Sequence, residues 1–225
     1  MNKLTSLTWK TLGRLLYFAG QDRSWANLEY FDETWKSRIQ EMARFIRPGE
    51  SVIDLGCGMM WLRPYLKDNV YHPVDYRRRD ESTIVLDFNN HQFPPITTDV
   101  AFLSGTLEYI RDYEWFVNQV SRHCTRCIVS YCTTENYPDL NTRKNKAWQS
   151  HLTRAQLITL FTKNGMHLET ESNQITHNPI FVFSKGDTLP SVIGSGQTGE
   201  DIKNTLTGQT IACHEVESVT AHKLC

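Results

Sequence analysis

Residues 51–58 read S-V-I-D-L-G-C-G, an apolar run closed by an acid and two glycines, and its reading decides the fold. Val52, Ile53 and Leu55 suit a strand buried on both faces, where continuous apolar residues replace alternation. Gly56 and Gly58 allow the close backbone approach of a ligand that a Cβ would block. Pro64 fits the first turn of a helix, so a helix is expected to begin near Trp61 with its free N–H groups aimed back at the glycine turn.

Working outward, apolar residues at Trp25, Leu28, Phe31, Trp35, Ile39, Met42 and Phe45 follow a helical period, with Ser24 as a candidate N-cap. Arg47-Pro48-Gly49 ends that segment. Further strands are read at 70–74, 83–86, 100–104, 127–131, 166–170 and 180–184, and helices at 107–123 and 153–164. Thr153 can cap the last helix and Gly165 can stop it. Alternating strands and helices predict an α/β fold with one seven-stranded, mostly parallel sheet. The last two strands have no helix between them and should form an antiparallel pair. Pro73 is expected at a strand end, since it lacks a ladder donor.

Three segments follow: an N-terminal helical segment or lid (1–23), one catalytic domain (24–185) and a polar, glycine-punctuated tail (186–225) expected to be loosely attached. Residues 1–21 carry Lys3, Lys10 and Arg14 without an acid, and five leucines could line one face. That pattern fits a packed helix or lid, with weak peripheral membrane contact as the other reading. With a net charge of −1 and Lys and Arg dispersed except at Arg77–Arg79, no basic face advertises nucleic acid as a partner. No stretch approaches a membrane span. The six cysteines lack the spacing of a secreted disulfide framework, which points to the cytoplasm.

The acids sort by position. In open α/β sheets the ligand lies outside the carboxyl ends of the strands, which places Asp75 and Asp87 at the crevice and Asp99 at the opposite edge, in a structural role. Asp75 stands 21 residues beyond Asp54, the interval at which an acid after the second strand meets both hydroxyls of a ribose. Asp87 can accept from an exocyclic amine such as that of adenine, with Phe88 near enough to stack. A nicotinamide dinucleotide would also use a ribose acid, but its fingerprint needs a third glycine where this chain has Trp61. A nicotinamide-dependent oxidoreductase and a non-catalytic adenosine-binding module are the competing readings.

V-I-D-L-G-C-G, the acid in P-V-D, the V-L-D-F segment and D-V-A-F-L-S-G-T-L-E-Y-I together resemble the class I S-adenosylmethionine-dependent methyltransferases over residues 25–185. The resemblance implies a Rossmann-like three-layer sandwich with S-adenosylmethionine as cofactor. It puts the donor's amino-acid end on Asp54, Gly56, Cys57 and Gly58, its ribose on Asp75, its adenine on Asp87 and Phe88, and its sulfonium near Ser104. Tyr109 stands where the family often has histidine, and Glu108 beside it is read as a helix residue rather than a base. The Y-F-D-E-T-W-K and H-P-V-D segments are loosely similar to small methyltransferases that accompany surface-polysaccharide assembly. The acceptor is accordingly expected to be a small molecule, glycan or lipid, methylated at oxygen.

An oxygen acceptor calls for a base. His151, just before the Thr153 cap, and Tyr131, ending the fifth strand, are the candidate catalytic residues. Arg143 and Trp148 belong to the following specificity segment. Tyr30 and Trp35 could close over the ligand, but their helical spacing points to core packing. Arg77-Arg78-Arg79 could attract a phosphate-bearing acceptor or form a solvated loop. Cys124-x-x-Cys127 has no second pair, so no metal site is expected. The sequence leaves the oligomeric state open.

Overall fold

The computed structural model describes residues 25–175 and 177–186. The chain divides into two units, residues 1–188 and 189–225, and every described residue belongs to the first. The expectations for residues 1–23, the Ser24 cap and the tail beyond 186 lie outside the described residues.

Two helices, α1 (Trp25–Leu28) and α2 (Trp35–Ala43), precede a sheet of seven strands. These are β1 (Val52–Leu55), β2 (Tyr71–Asp75), β3 (Ile84–Val85), β4 (Thr98–Ser104), β5 (Cys124–Ser130), β6 (Met166–Ser172) and β7 (Ile180–Lys185), with α3 (Tyr113–His123), α4 (Leu140–Asn145) and α5 (Arg154–Lys163) between them. The spatial order is β3-β2-β1-β4-β5-β7-β6. Strands β1 to β5 pair in parallel, while β7 runs antiparallel to both β5 and β6. The Rossmann-like sheet and its antiparallel closing pair are those read from the sequence.

Continuous apolar strands have no polar face, so both sides of the sheet need cover. Ile53, Leu55, Ala101, Leu103, Val129, Phe181 and Phe183 pack with Phe116, Val117 and Val120 of α3 and Leu157 and Phe161 of α5. Their neighbours Val52, Val100, Phe102, Ile128 and Val182 pack on the other side with Ile39 and Met42 of α2. Phe161 and Phe183 stack with centroids 4.1 Å apart. A period of two along each strand thus builds three layers.

Caps fix the ends. Thr153 Oγ1 accepts from the Gln156 amide and Gln156 Oε1 accepts from the Thr153 amide, a complete capping box on α5. Asp99, as expected, is structural: its carboxylate accepts from the Ser51 amide at 2.7 Å and Ser51 Oγ at 2.6 Å, tying the starts of β1 and β4.

Three expectations are corrected. No helix follows the glycine turn. Only a 3-10 turn at Arg63–Tyr65 forms there before β2 begins at Tyr71. The segment 107–123 is likewise not one helix: a 3-10 turn at Leu107–Tyr109 precedes α3, which Asp112 caps through the Trp115 amide at 3.1 Å. Pro73 sits inside β2 opposite Asp54. The carbonyls of Val70 and Val74 face β1, whereas that of Asp75 faces β3. The missing Pro73 N–H therefore points to the β3 side, where pairing begins only at Val74 and Asp75. Proline is tolerated because no donor is needed there.

Candidate functional site

At the carboxyl ends of β1, β2 and β4 the sheet order reverses, and a cavity of about 1120 Å³ opens there. Small-molecule pockets run to roughly 300–1,000 Å³, so this one has room for two ligands side by side. Asp54, Gly56, Cys57, Gly58, Asp75, Asp87, Phe88 and Ser104, all of the cofactor residues read from the sequence, line it.

The glycine turn is a backbone cradle. Gly56 has φ +86°, and a Cβ there would stand 2.5 Å from Thr106 Oγ1, which donates to the Leu55 carbonyl. Gly58 has φ +49°, and a Cβ would meet the Phe31 ring at 2.7 Å. Backbone alone can occupy both places. The Gly58 amide donates to Asp75 Oδ2 at 2.9 Å, so the second-strand acid braces the turn from below. Cys57 is buried beside it, and burial pushes its thiol well above the ordinary range.

The acids differ in what they hold. Asp54 is buried, accepts from Tyr71 Oη at 2.7 Å, and is raised to about 7, first by burial and then by Asp75 nearby. Asp75 Oδ1 accepts from Arg79 Nη2 at 2.9 Å and from the Arg77 amide at 3.1 Å. Asp87 caps a 3-10 turn by accepting from the Asn89 amide at 2.9 Å. Phe88 borders the cavity, and its ring also packs 4.9 Å from Phe116 in the core.

A roof crosses this half. Phe31 lies over Gly58, its ring 6.2 Å from Trp61. Glu29 takes the Arg79 guanidinium at 2.7 Å and the Tyr76 hydroxyl, and Arg77 stands 3.4 Å away. Two of the three consecutive arginines thus pin the roof to the Asp75 loop, and Arg79 is not free to take a phosphate. Tyr30 and Trp35, read as core residues, instead line the cavity. Spacing could not separate a face packed on a core from one packed over a cleft.

The other half of the cavity is walled by Tyr109, Tyr137, Trp148 and His177 and carries Glu108. Glu108 is 2% exposed; its Oε1 accepts from the Cys132 amide at 2.9 Å, and its Oε2 is buried without a partner. Burial raises its carboxyl, against the Cys132 amide and the charges of Arg38 and Arg143. An unpartnered buried carboxylate oxygen at a cavity wall awaits a donor. The sequence reading set Glu108 aside, because its LEY turn looked like helix.

Behind that wall lies Arg143, fully buried. It donates to the carbonyls of Cys132, Thr133, Tyr137 and Ser150, to Tyr131 Oη and to His151 Nδ1. Its guanidinium also lies 4.8 Å from the Trp148 ring centre. Both candidate catalytic residues are thereby corrected. Tyr131 is wholly buried, accepting from the Leu152 amide at 2.9 Å, and burial pushes its hydroxyl up to about 12. His151 is held below its ordinary value by burial and then by Arg143 and Lys144. Neither borders the cavity. Among the described residues no group of three or more His, Cys, Asp or Glu gathers to hold a metal, and no helix is long and apolar enough to cross a membrane.

A glycine turn with a chamber of this size beside it is an arrangement that can take a nucleotide-type ligand and a second molecule together. The family model described as a methyltransferase domain matches residues 26–172, and the chain belongs to that family, with S-adenosylmethionine as its cofactor. No curated protein matches the chain at a significant level. Among solved structures it is similar to CalO1, a methyltransferase in calicheamicin biosynthesis, with 17% identity and TM-score 0.53 over 68% of this chain and 54% of that one. It is also similar to the O-methyltransferase NcsB1 from neocarzinostatin biosynthesis, with 14% identity and TM-score 0.53 over 68% and 53%. A third is the Burkholderia thailandensis 1,6-didemethyltoxoflavin-N1-methyltransferase, with 12% identity and TM-score 0.53 over 81% and 89%. These share its fold, and the chain spans about half the length of the first two.

Proposed function

We propose that the chain transfers the methyl group of S-adenosylmethionine to a hydroxyl oxygen of a small-molecule acceptor, a glycan or lipid hydroxyl included, with Glu108 receiving the proton. Bound S-adenosylmethionine supplies an electrophilic methyl group whose bonding pair stays on sulfur as the new oxygen–carbon bond forms. The glycine cradle, Asp75 and Asp87 hold the adenosine and amino-acid ends, and the roof from Glu29 to Trp35 excludes water. The aromatic wall orients the acceptor, which is the larger part of the work in such a displacement.

The carrying observation is Glu108, which borders the cavity and keeps its Oε2 buried without a partner. It can accept a hydrogen bond from an incoming hydroxyl and then its proton, and its raised affinity for that proton makes it the stronger base. The fold neighbours include both kinds, an O-methyltransferase in complex with 2-hydroxy-5-methyl naphthoic acid and an N1-methyltransferase with bound 1,6-didemethyltoxoflavin. The free carboxylate oxygen is what favours oxygen for this chain. The four described cysteines are free thiols, in keeping with a cytoplasmic setting.

The test is methyl-¹³C-labelled S-adenosylmethionine with phenolic, sugar and lipid acceptors, read by the chemical shift of the transferred carbon. An O-methyl product is expected. Glu108→Gln should slow it at least about 100-fold while leaving S-adenosylhomocysteine affinity unchanged. Transfer to nitrogen or carbon, or an undiminished rate in the variant, overturns the proposal.

A further inference from the structure

Among the described residues, six buried side-chain atoms lack a hydrogen-bond partner, and they fall into two groups. Four lie away from the cavity. These are the Nε atoms of Arg79 and Arg126, whose guanidiniums are held by carboxylates through their other nitrogens, and the hydroxyls of Ser130 and Ser172 in the sheet. The other two, Glu108 Oε2 and Asn178 Oδ1, belong to residues that border the cavity. Both are oxygens that can accept.

Asn178 lies in the connection from β6 to β7 and is fastened on both sides to the end of β5. The His177 carbonyl accepts from Cys132 Sγ at 2.8 Å, and the Pro179 carbonyl accepts from the Tyr131 amide at 3.2 Å. His177 holds φ +64°, a left-handed conformation that a residue other than glycine keeps where its surroundings impose it. Cys132 is also the residue whose amide holds Glu108 Oε1 at 2.9 Å. One residue thus fastens both the carboxylate and the segment that carries the Asn178 amide, so the two side chains are held in a fixed relation.

A buried acceptor without a partner is costly until a donor meets it. Glu108 is met by the hydroxyl that reacts. Asn178 calls for a second donor on the same molecule, close to the first. Beside them Tyr109, Tyr137 and Trp148 present ring surfaces, with Tyr137 and Trp148 5.6 Å apart, and such a lining suits a ring better than a flexible chain.

We infer that the acceptor is a ring bearing two adjacent hydroxyls, a vicinal diol. One hydroxyl gives its proton to Glu108 as its oxygen takes the methyl group, and its neighbour donates to Asn178 Oδ1 and stays unmethylated. The inference rests on the reading of Glu108 as base for a hydroxyl oxygen, and it makes Asn178 a specificity-determining residue. Catechols and the cis-diols of sugars share this chemistry.

Matched acceptor pairs with methyl-¹³C-labelled S-adenosylmethionine test it: catechol against phenol for an aromatic ring, and a cis-vicinal cyclohexanediol against cyclohexanol for a sugar-like one. In at least one pair the native protein should use the diol at least about 10-fold better in kcat/KM and give a mono-methyl ether, since a buried acceptor left unmet has an effect of that size. Asn178→Leu should bring the preference to within about threefold while binding S-adenosylhomocysteine as the native protein does. Asn178→Ala, which removes the same oxygen without adding an apolar branch, serves if the leucine variant fails to fold. Equal use of diol and single hydroxyl in both pairs, or an Asn178 variant that keeps the preference, overturns the inference while the reading of Glu108 stands. Transfer to a ring carbon of catechol or phenol contradicts the reading of Glu108 itself, which is a different result from equal use.

Discussion

The two halves of the cavity are built on opposite plans. In the half proposed for the donor, the wall is a glycine turn flanked by strand-end acids, with Asp75 bracing the turn through the Gly58 amide. In the half proposed for the acceptor, a side chain holds the backbone: the Arg143 guanidinium gathers the carbonyls of Cys132, Thr133, Tyr137 and Ser150 into one wall. A backbone cradle suits a ligand shared by many relatives. A wall of loops gathered by one buried cation can change its lining without disturbing the sheet, and that is where acceptor specificity can vary.

The sharpest way to break this contrast is at Arg143. Arg143→Met orphans buried carbonyls and should destabilise the protein by about 3–5 kcal/mol in urea unfolding. Folded molecules of the variant should nevertheless bind S-adenosylhomocysteine with near-native affinity. A donor site that fails together with the acceptor wall would show that the halves are one unit.

Asp54 tests the donor half through pH. Its carboxyl, raised to about 7 by burial, binds a proton in the folded state that the unfolded chain gives up near pH 4. Stability of the native protein relative to Asp54→Asn should therefore fall as pH rises from about 4 to 7, by roughly 2–4 kcal/mol, and stay level above 7. A difference that does not change with pH would show that the carboxyl is not held in its protonated form.

The smallest effects separate structural from chemical residues in the acceptor half. Tyr131→Phe removes the acceptor of the Leu152 amide and should cost about 1–2 kcal/mol of stability. His151→Gln should change stability by less than about 0.5 kcal/mol. Neither should alter the pH profile of methyl transfer, since neither side chain borders the cavity; a profile shifted by either would return that residue to the reaction.

The same contrast explains what the sequence made legible. The strands were readable because their apolar runs are buried on both faces, and Asp54, Asp75 and Asp87 because position along a parallel strand places an acid at the ligand edge. Asp99 was rightly set apart by that rule. Glu108 was missed because its meaning depends on which of its oxygens the Cys132 amide leaves over, a tertiary fact with no local pattern. Trp35 was read as core because a helical period marks a face as inward without saying whether core or cavity lies there. His151 and Tyr131 have the right chemistry at the right strand end, yet Arg143, 12 residues after Tyr131 in the chain, draws both behind the wall.

The most direct test of the divided cavity is backbone hydrogen exchange with and without S-adenosylhomocysteine. Protection is expected at residues 55–58, 75–77, 87–90 and 104–106, with 137–148 exchanging as in the free protein. Protection of 137–148 while 55–58 stay unchanged would contradict the account.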